Sequence, residues 1–381
     1  MRPLFWVCLA LAVGAAAWRL FPSGAAGPES APALGPPQEP KVSQRRPVLP
    51  PPAPAPWHAW NSQALEALEV GDCGLAVELL EQALGARPED AILRENLAEA
   101  LARLARELHR EEGASELALA HLKRAADLDA GRGDLAQLLT RWSAEAELEA
   151  GFRLDETDHF EFRYDGDRRE LLAGGVHDLS QELEAAYQEL GEFFGLFPVE
   201  AGGGKVRVVL YQRGEFGTVG GLGDWVVGLF DGTVRLAIED LAGERGRLGE
   251  TLRHELVHAF THRVGAGRLP GWLDEGLAQW LEGGSLGRRE AALAQARASL
   301  ATGGLHPWGA LAGSLATWSD GEAVARAYAQ SLLLVDLLVR EYGERLVIEL
   351  VEGCGAGHSP EEAFRARIQL DLWEAVSALG L

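Results

Sequence analysis

The sequence predicts an α+β fold, in which a helical N-terminal region precedes a second region that combines a small mixed sheet with helices. Three observations lead to this prediction. From Trp57 to about residue 150, Ala, Leu and Glu recur at helical spacing, and part of the pattern returns after about 34 residues. From about Thr157, short segments alternate apolar and polar residues as strands do. After about Arg245, apolar residues again recur at the helical period.

Residues 1–21 have the composition of an export signal. Arg2 precedes an uncharged, mostly apolar run from Leu4 to Trp18, which ends in small residues. We therefore expect the protein to be exported to a periplasmic or other extracytoplasmic location. The alternative is an uncleaved membrane anchor formed by residues 4–21. Residues 22–56 hold 12 of the 18 prolines, a composition that predicts an extended linker and no packed core.

The net charge argues against nucleic acid as a partner, and the cysteine content argues against a fold held by disulfides. The 381 residues include 35 Lys and Arg against 57 Asp and Glu, a formal net charge of -22. Such a chain repels phosphate backbones, so nucleic acid is not expected as a partner, and we interpret the acidity as a solvated surface. Three cysteines do not make a disulfide framework. Cys8 lies in the leader, and Cys73 and Cys354 are predicted to be buried as small apolar residues.

Residues 57–150 resemble tetratricopeptide repeats. With Pro88 as the closing proline of a first unit, Gly71 and Asp72 fall at the turn between its two helices. The expected apolar positions hold Trp60, Ala76, Leu80 and Ala83. A second, longer unit repeats the pattern with Ala118, Leu122 and Ala125, and a third helix, DLAQLLTRWSAEAELEAG, caps the stack. Such repeats bury their apolar faces only against neighbouring repeats. The stack therefore either packs against the next domain or offers a groove to a protein partner.

The middle of the chain predicts a small mixed sheet with one helix across it. HFEFRYDG alternates aromatic and polar residues, and KVRVVLY has the composition of a buried strand. A long helix is predicted between them, from about His177 to Phe194. The segment from Trp225 to Ile238 predicts a hairpin, with Asp231 and Gly232 at its turn.

The stretch RHELVHAFTH carries two histidines one helical turn apart. On a helix, His254 and His258 project from one face, so that both can bind one metal ion. Glu255 is rotated by about 100° from His254, which places it beside such a metal, where a base for a water molecule is needed. A catalytic zinc takes a third protein ligand and leaves one position to water.

Two kinds of third ligand are considered. A histidine at the metzincin offset is excluded, because Thr261 and Val264 stand at the positions that this pattern requires, and we interpret His262 as a polar residue near the helix end. The other kind is a glutamate on a following helix. LPGWLDEGLAQWLEGG predicts that helix between its proline and its last two glycines, and Glu275 lies one to two turns inside it. We expect Asp274 to face solvent or to orient a histidine.

H-E-L-V-H followed by L-P-x-W-L-x-E-G-x-A resembles the gluzincin metallopeptidases, particularly an MA-type branch with tetratricopeptide repeats ahead of the catalytic domain. The resemblance implies a zincin-like fold for residues 155–381. It implies that His254, His258 and Glu275 bind Zn2+ and that Glu255 is the general base and acid. It also implies an edge strand on which an extended peptide lies, and the hairpin is our candidate for this strand.

A Tyr-x-x-Ser segment after the third ligand is similar to the one that gluzincins use to stabilise the oxyanion. Here it holds Tyr328 and Ser331, and we expect Tyr328 to be the donor. The alternatives are a packing role for Tyr328, as we expect for Tyr342, with the donor then at His306 or on the edge-strand backbone.

The expected function is that of a zinc-dependent peptidase acting on a peptide or protein substrate. The alternative is a repeat-based protein-binding module with a vestigial or structural zinc site. The presence of Glu255 favours the enzyme, since loss of the base marks such relics. Endopeptidase and aminopeptidase activities both stay open at this point.

Overall fold

The computed structural model describes residues 56–109, 115–166, 175–202, 204–220, 228–238, 241–284, 286–315, 318 and 320–379. The export signal and nearly all of the linker lie outside these residues, so both stay predictions. In the part of the chain that is described, no helix is both long and apolar enough to cross a membrane. The described residues fall into two compact units, one up to Ala100 and the other from Leu101 onward.

The first unit is helical. It contains α1 (Pro56–Val70), α2 (Cys73–Ala86) and the first half of α3 (Ala91–His109). The predicted turn between α1 and α2 is confirmed, because Gly71 has a φ of 85° and the Asp72 side chain accepts a hydrogen bond from the Leu75 amide. The predicted apolar positions of α2 are fully buried: Ala76, Leu80 and Ala83. The helices are therefore confirmed, and their assignment to the tetratricopeptide class stays a prediction.

The second unit begins with three helical segments that lead into the sheet. These are the end of α3, then α4 (Ser115–Leu128) and α5 (Gly133–Glu149). The apolar positions predicted for the second repeat are fully buried on α4: Ala118, Leu122 and Ala125. The helix predicted to cap the stack is α5, and its Leu135 and Trp142 are buried.

A five-stranded mixed sheet follows, in the order β1-β2-β3-β5-β4. Its strands are β1 (Phe152–Glu156), β2 (Phe160–Asp165), β3 (Val206–Gln212), β4 (Gly228–Phe230) and β5 (Val234–Ile238). The β2-β3 and β3-β5 pairs are parallel, and the β1-β2 and β4-β5 pairs are antiparallel. The predicted mixed sheet and the β4-β5 hairpin are confirmed, and β4 forms one edge of the sheet. β1 was not predicted.

The two faces of the sheet pack against different helices. One face joins the main core through Phe160, Val208, Leu210 and Leu236, together with α6 (Gly175–Phe194), the helix predicted across the sheet. The opposite face carries a smaller cluster formed by Val209, Tyr211, Phe216, Leu229 and Ala237, against which Leu148 of α5 packs. Phe216 belongs to α7 (Arg213–Gly220).

The described residues after β5 are mostly helical, as predicted. The helices are α8 (Leu241–Val264), α9 (Gly271–Glu282), α10 (Leu286–Gly303), α11 (Gly321–Tyr342), α12 (Glu344–Gly355), α13 (Pro360–Ile368) and α14 (Leu372–Ala378), with a short 3-10 turn at Trp308–Leu311. Cys73 and Cys354 are buried and form no disulfide within the described residues, which confirms their predicted burial.

A tight turn between α8 and α9 lays these two helices side by side. Ala266 and Gly267 both adopt positive φ angles, of 51° and 66°, which reverse the chain. Pro270 then caps the start of α9, and Gly283 follows its end, as the sequence predicts. This turn brings the histidines of α8 next to the acidic residues of α9.

Candidate metal centre

Two histidines of α8 and one glutamate of α9 meet in the core of the second unit. His254 and His258 are each 1% exposed and Glu275 is 3% exposed. The Nε2 atom of each histidine lies 3.5 Å from Oε2 of Glu275. One ligand atom from each residue falls within 4.8 Å of the other two. The three residues that were predicted as zinc ligands are therefore brought together.

The atoms that face one another in this cluster have no other partner. Nε2 of His254, Nε2 of His258 and Oε2 of Glu275 are buried and make no hydrogen bond within the described residues. Buried polar atoms in folded proteins are nearly always paired, so this group requires a partner of another kind. Two imidazole nitrogens and one carboxylate oxygen are a donor set that suits zinc. The residues present thus fit a zinc ion.

The other ring nitrogen of each histidine faces a carboxylate from α9, and the pair at His254 has hydrogen-bond geometry while the pair at His258 is a close ion-pair contact. Nδ1 of His254 is hydrogen-bonded to Oε2 of Glu282, at 2.7 Å. Nδ1 of His258 lies 3.1 Å from Oδ1 of Asp274, which also accepts a hydrogen bond from the Thr261 hydroxyl. Such contacts fix the orientation of the ring and direct Nε2 toward the metal position.

Of these two carboxylates, only Asp274 was predicted to support a histidine. That prediction agrees with its contact to His258, and the Asp274 side chain stays partly exposed. Glu282 was missed. Its signal in the sequence is its position two turns beyond Glu275 on the same face of α9, which a search for second carboxylates along that helix would have found.

Carboxylates dominate the electrostatics of the cluster. Burial works against the charged form of His254, but Glu275 and Glu282 outweigh it and raise its pKa to about 9. For His258, burial acts in the same direction, yet Asp274 and Glu275 raise its pKa well above the ordinary value. The pKa of Glu275 is held below its usual value by the two histidines, in spite of burial. The ring nitrogens therefore lie in a negative field, which favours a cation.

Glu255 lies on α8 beside this cluster and points toward the edge of the sheet. It is 0% exposed, and neither carboxylate oxygen has a hydrogen-bond partner in the described part of the chain. Burial raises its pKa to about 7, while the two histidines act to lower it. A buried carboxylate of this kind has the properties of a general base or acid near neutral pH.

The edge strand β4 passes directly in front of Glu255. A Cβ atom at Gly228 would lie 2.8 Å from Oε1 of Glu255 and 2.8 Å from Cγ2 of Thr251. No side chain therefore fits between the strand and the carboxylate. The hairpin that was our candidate for substrate binding thus borders the cluster through a glycine.

Tyr328 lies on α11, which packs against α9. The Gln279 side chain donates to the backbone carbonyls of both Glu275 and Tyr328, at 3.2 Å and 3.1 Å, and so joins the two helices next to the cluster. Tyr328 is buried in the main core, and the Ser331 hydroxyl donates to the Ala327 carbonyl. The expected role of Tyr328 as oxyanion donor stays a prediction.

The three other residues considered in the sequence analysis are not members of the metal cluster. His306 exchanges hydrogen bonds with the Gln330 side chain, and its Nε2 lies 3.1 Å from the Ala323 carbonyl, so that this nitrogen is already engaged. Tyr342 packs edge-on against Phe364, in agreement with its expected packing role. His262, near the end of α8, lies beside Phe230 and is not part of the metal cluster.

Comparison with known proteins gives one match and one negative result. No curated protein sequence matches the chain. The family model described as Peptidase MA superfamily matches residues 233–375, a stretch that holds His254, Glu255, His258 and Glu275. The match therefore supports a zincin-like peptidase family for the region that runs from β5 to the C-terminal helices.

Proposed function

We propose that the protein is a zinc-dependent peptidase that hydrolyses peptide bonds in an extended peptide or protein segment. The observation that carries the proposal is the group of three buried ligand atoms of His254, His258 and Glu275, which have no hydrogen-bond partner and lie within 4.8 Å of one another. These residues would hold the zinc ion. When bound there, zinc supplies Lewis acidity, which acidifies water and polarises a carbonyl group.

Glu255 is the proposed general base and acid. Its buried carboxylate has no partner of its own, so it is free to accept a proton from the attacking water. The same carboxylate then returns the proton to the leaving amine. Its burial keeps bulk water away from this exchange, which strengthens every interaction of the charge within the site.

The edge strand β4 is the proposed binding site for the peptide. A peptide added to β4 would pair through backbone hydrogen bonds, and it would be held beside Glu255 because Gly228 leaves no side chain in between. This mode of recognition needs an extended segment and depends little on its side chains. Protein substrates would therefore be cut at extended or unfolded stretches.

Two variants of the full chain test this proposal. His258→Ala should lose nearly all bound zinc, and Glu255→Gln should keep it, because only the former removes a ligand. Elemental analysis measures the metal, and cleavage of a peptide library with and without a chelator measures activity. Both variants should be inactive. If the His258→Ala protein retains its zinc, the proposed ligand set is wrong. If Glu255→Gln turns over substrate normally, the alternative function of a protein-binding module is favoured.

Tyr328 is the proposed donor to the oxyanion. Removing one such donor lowers kcat by about a hundredfold to a thousandfold in well-studied hydrolases. We expect Tyr328→Phe to lower kcat with unchanged zinc content, as measured by steady-state kinetics. An unchanged kcat together with a lower melting temperature would assign Tyr328 to packing, and the donor would have to be sought on the β4 backbone.

A further inference from the structure

Arg235 is a buried arginine in the middle of β5, and the peptidase mechanism does not use it. It is 2% exposed, and its neighbours across the sheet are Val209 of β3 and Leu229 of β4. Alternation along the strand places its side chain on the face opposite that of Leu236, away from α8 and the metal cluster. Arginine is seldom buried to this extent unless it is paired.

The Arg235 guanidinium contacts side chains from four other segments of the chain. On α5 it reaches Glu145 at 2.7 Å and Glu149 at 3.5 Å. It donates to the Tyr211 hydroxyl of β3 at 2.8 Å and lies 3.3 Å from Nε2 of His109, at the end of α3. Its Nε atom lies 3.2 Å from Oδ1 of Asp231, in the turn of the β4-β5 hairpin.

These contacts form one network, which we call the Arg235 cluster: His109, Glu145, Glu149, Tyr211, Asp231 and Arg235. Burial and, after it, the charge of Arg235 lower the pKa of His109 to about 3, so the ring is neutral and its Nε2 accepts the guanidinium N–H. The His109 ring is also stacked on Trp142 of α5, with centroids 3.9 Å apart. A planar fork with five N–H donors suits such a set of acceptors, and lysine does not.

The hairpin is thus held on both faces. On one face, Arg235 ties its turn and its β5 strand to α3 and α5. On the other face, Gly228 of β4 lies against Glu255 of α8. Among the described residues, β4 is three residues long and pairs only with β5, so the hydrogen bonds of this strand pair hold it weakly. Its position in front of Glu255 then depends on what holds β5 and the turn.

We propose that Arg235 is a positioning residue, which fixes the edge strand β4 in front of Glu255 by anchoring the β4-β5 hairpin to α3 and α5. The proposal rests on the proposed function, in which an extended peptide binds along β4. It assigns to α3 and α5 a part in substrate binding, although neither helix contributes a residue to the metal cluster.

A purely structural role is the competing explanation. Buried ion pairs add little net stability on average, and apolar replacements of similar size are often tolerated. Loss of global stability and loss of hairpin anchoring therefore have to be measured separately. Hydrogen exchange distinguishes loss of global stability from loss of hairpin anchoring, because it reports the opening of each segment and needs no enzymatic activity.

The test uses the full chain and compares Arg235→Lys and Glu145→Gln with Arg163→Met. Arg163 is a matched control, since it lies on β2 of the same sheet and pairs with Glu161, outside the Arg235 cluster. For the first two variants we expect exchange at residues 228–238 to become about tenfold faster, with exchange in α8 and the zinc content unchanged. On a peptide substrate, KM should rise about tenfold and kcat should stay within about threefold.

Other outcomes overturn the proposal. Exchange at 228–238 that equals the wild-type rate in both variants means that Arg235 does not anchor the hairpin. Faster exchange with an unchanged KM means that the hairpin is anchored but does not bind substrate. If Arg235→Lys fails to fold, the milder Glu145→Gln variant decides. A wild-type chain that has no peptidase activity contradicts the proposed function. Hydrogen exchange at residues 228–238 still tests whether Arg235 anchors the hairpin, because it needs no activity.

Discussion

At the scale of single residues, Glu282 and Asp274 convert two histidines into a pair of oriented nitrogen ligands. Each carboxylate takes the Nδ1 side of one ring, which leaves Nε2 directed at the other ligand atoms. The two are not equivalent. Asp274 also holds the Thr261 hydroxyl, while Glu282 sits at the last residue of α9 and is more exposed.

We predict that Glu282→Gln weakens zinc binding by about tenfold to a hundredfold, because the amide is a poorer acceptor for the His254 ring N–H and adds no negative charge. Competition with a metal chelator of known affinity measures the change. Glu250→Gln is the control, since Glu250 pairs only with the exposed Arg288 among the contacts that are described. Equal zinc affinities for Glu282→Gln and the wild type would show that His254 needs no carboxylate partner.

The three predicted zinc ligands lie together in the structure, although their spacing along the chain differs. His254, Glu255 and His258 are related by one turn of α8, whereas Glu275 was predicted from the resemblance to gluzincins and from its place on the following helix. Glu282 depends on how α8 and α9 pack, which no spacing within one helix specifies. Arg235 was missed for the same reason, since its partners come from segments far apart in the chain.

At the scale of elements, the packing of α9 on α11 keeps Glu275 in place. Gly276 follows the ligand directly, and a Cβ atom there would lie 2.5 Å from the Ser331 carbonyl oxygen and 2.7 Å from Cγ2 of Val335. The two helices thus approach as closely as their backbones allow. α8, by contrast, meets α9 through side chains such as Arg253, whose Nε donates to the Leu281 carbonyl.

We predict that Gly276→Ala lowers the free energy of unfolding by about 1–3 kcal/mol, because the added methyl group forces α9 and α11 apart. Urea denaturation in the presence of a chelator measures this without a contribution from zinc. Gly287→Ala on α10, where a Cβ would meet nothing within 4 Å, should leave the midpoint nearly unchanged or raise it slightly. A Gly276→Ala protein as stable as that control would contradict the close packing.

His159 joins the start of β2 to α6 and to the segment before β3. Its Nδ1 is hydrogen-bonded to Glu184, its Nε2 lies 2.9 Å from Oε1 of Glu200, and its ring stacks on Tyr187. Burial acts to lower the pKa of His159, but the two glutamates outweigh it and raise the pKa above its ordinary value of 6.5. The charged form is therefore favoured in the folded state.

A raised pKa in the folded state stabilises the fold below the unfolded value, and this contribution is lost as the pH rises through the folded value. We predict that wild type and His159→Gln differ most in unfolding midpoint at pH 6 and that the difference shrinks toward pH 9. Thermal unfolding across this range, again with chelator, measures it. His58→Gln on α1 serves as the control, and a constant difference between His159→Gln and wild type would exclude the linkage.

The sequence predicted most elements but not β1. The regular spacing of apolar residues predicts the helices, and turn residues such as Asp231 and Gly232 predict the hairpin. β1 lies at the opposite edge of the sheet from β4, and all its residues after Phe152 are exposed. A strand without a buried face has no alternation to read, because the pattern arises from burial of every second residue.

At the scale of the whole molecule, the predicted export signal determines on which side of the membrane the protein acts. We predict that a reporter that is active only outside the cytoplasm works when it is fused after Pro56, because residues 1–21 have the composition of an export signal. The same fusion without residues 1–21 is the control and should be silent. Retention on membranes in high salt would identify residues 4–21 as an anchor, and activity of the reporter inside the cell would refute export.

The arrangement of the metal centre along the chain has a consequence for folding. The three proposed zinc ligands, the proposed base and both neighbouring carboxylates lie between His254 and Glu282, on α8 and α9. Closing so short a loop costs little conformational entropy. Contacts between helices that are neighbours in the chain also form faster than pairing between distant strands. We therefore expect this helical pair to assemble before the parallel strands β2, β3 and β5 align. A folding chain would then bring the proposed zinc ligands together early, and the sheet would close over a site that is already formed.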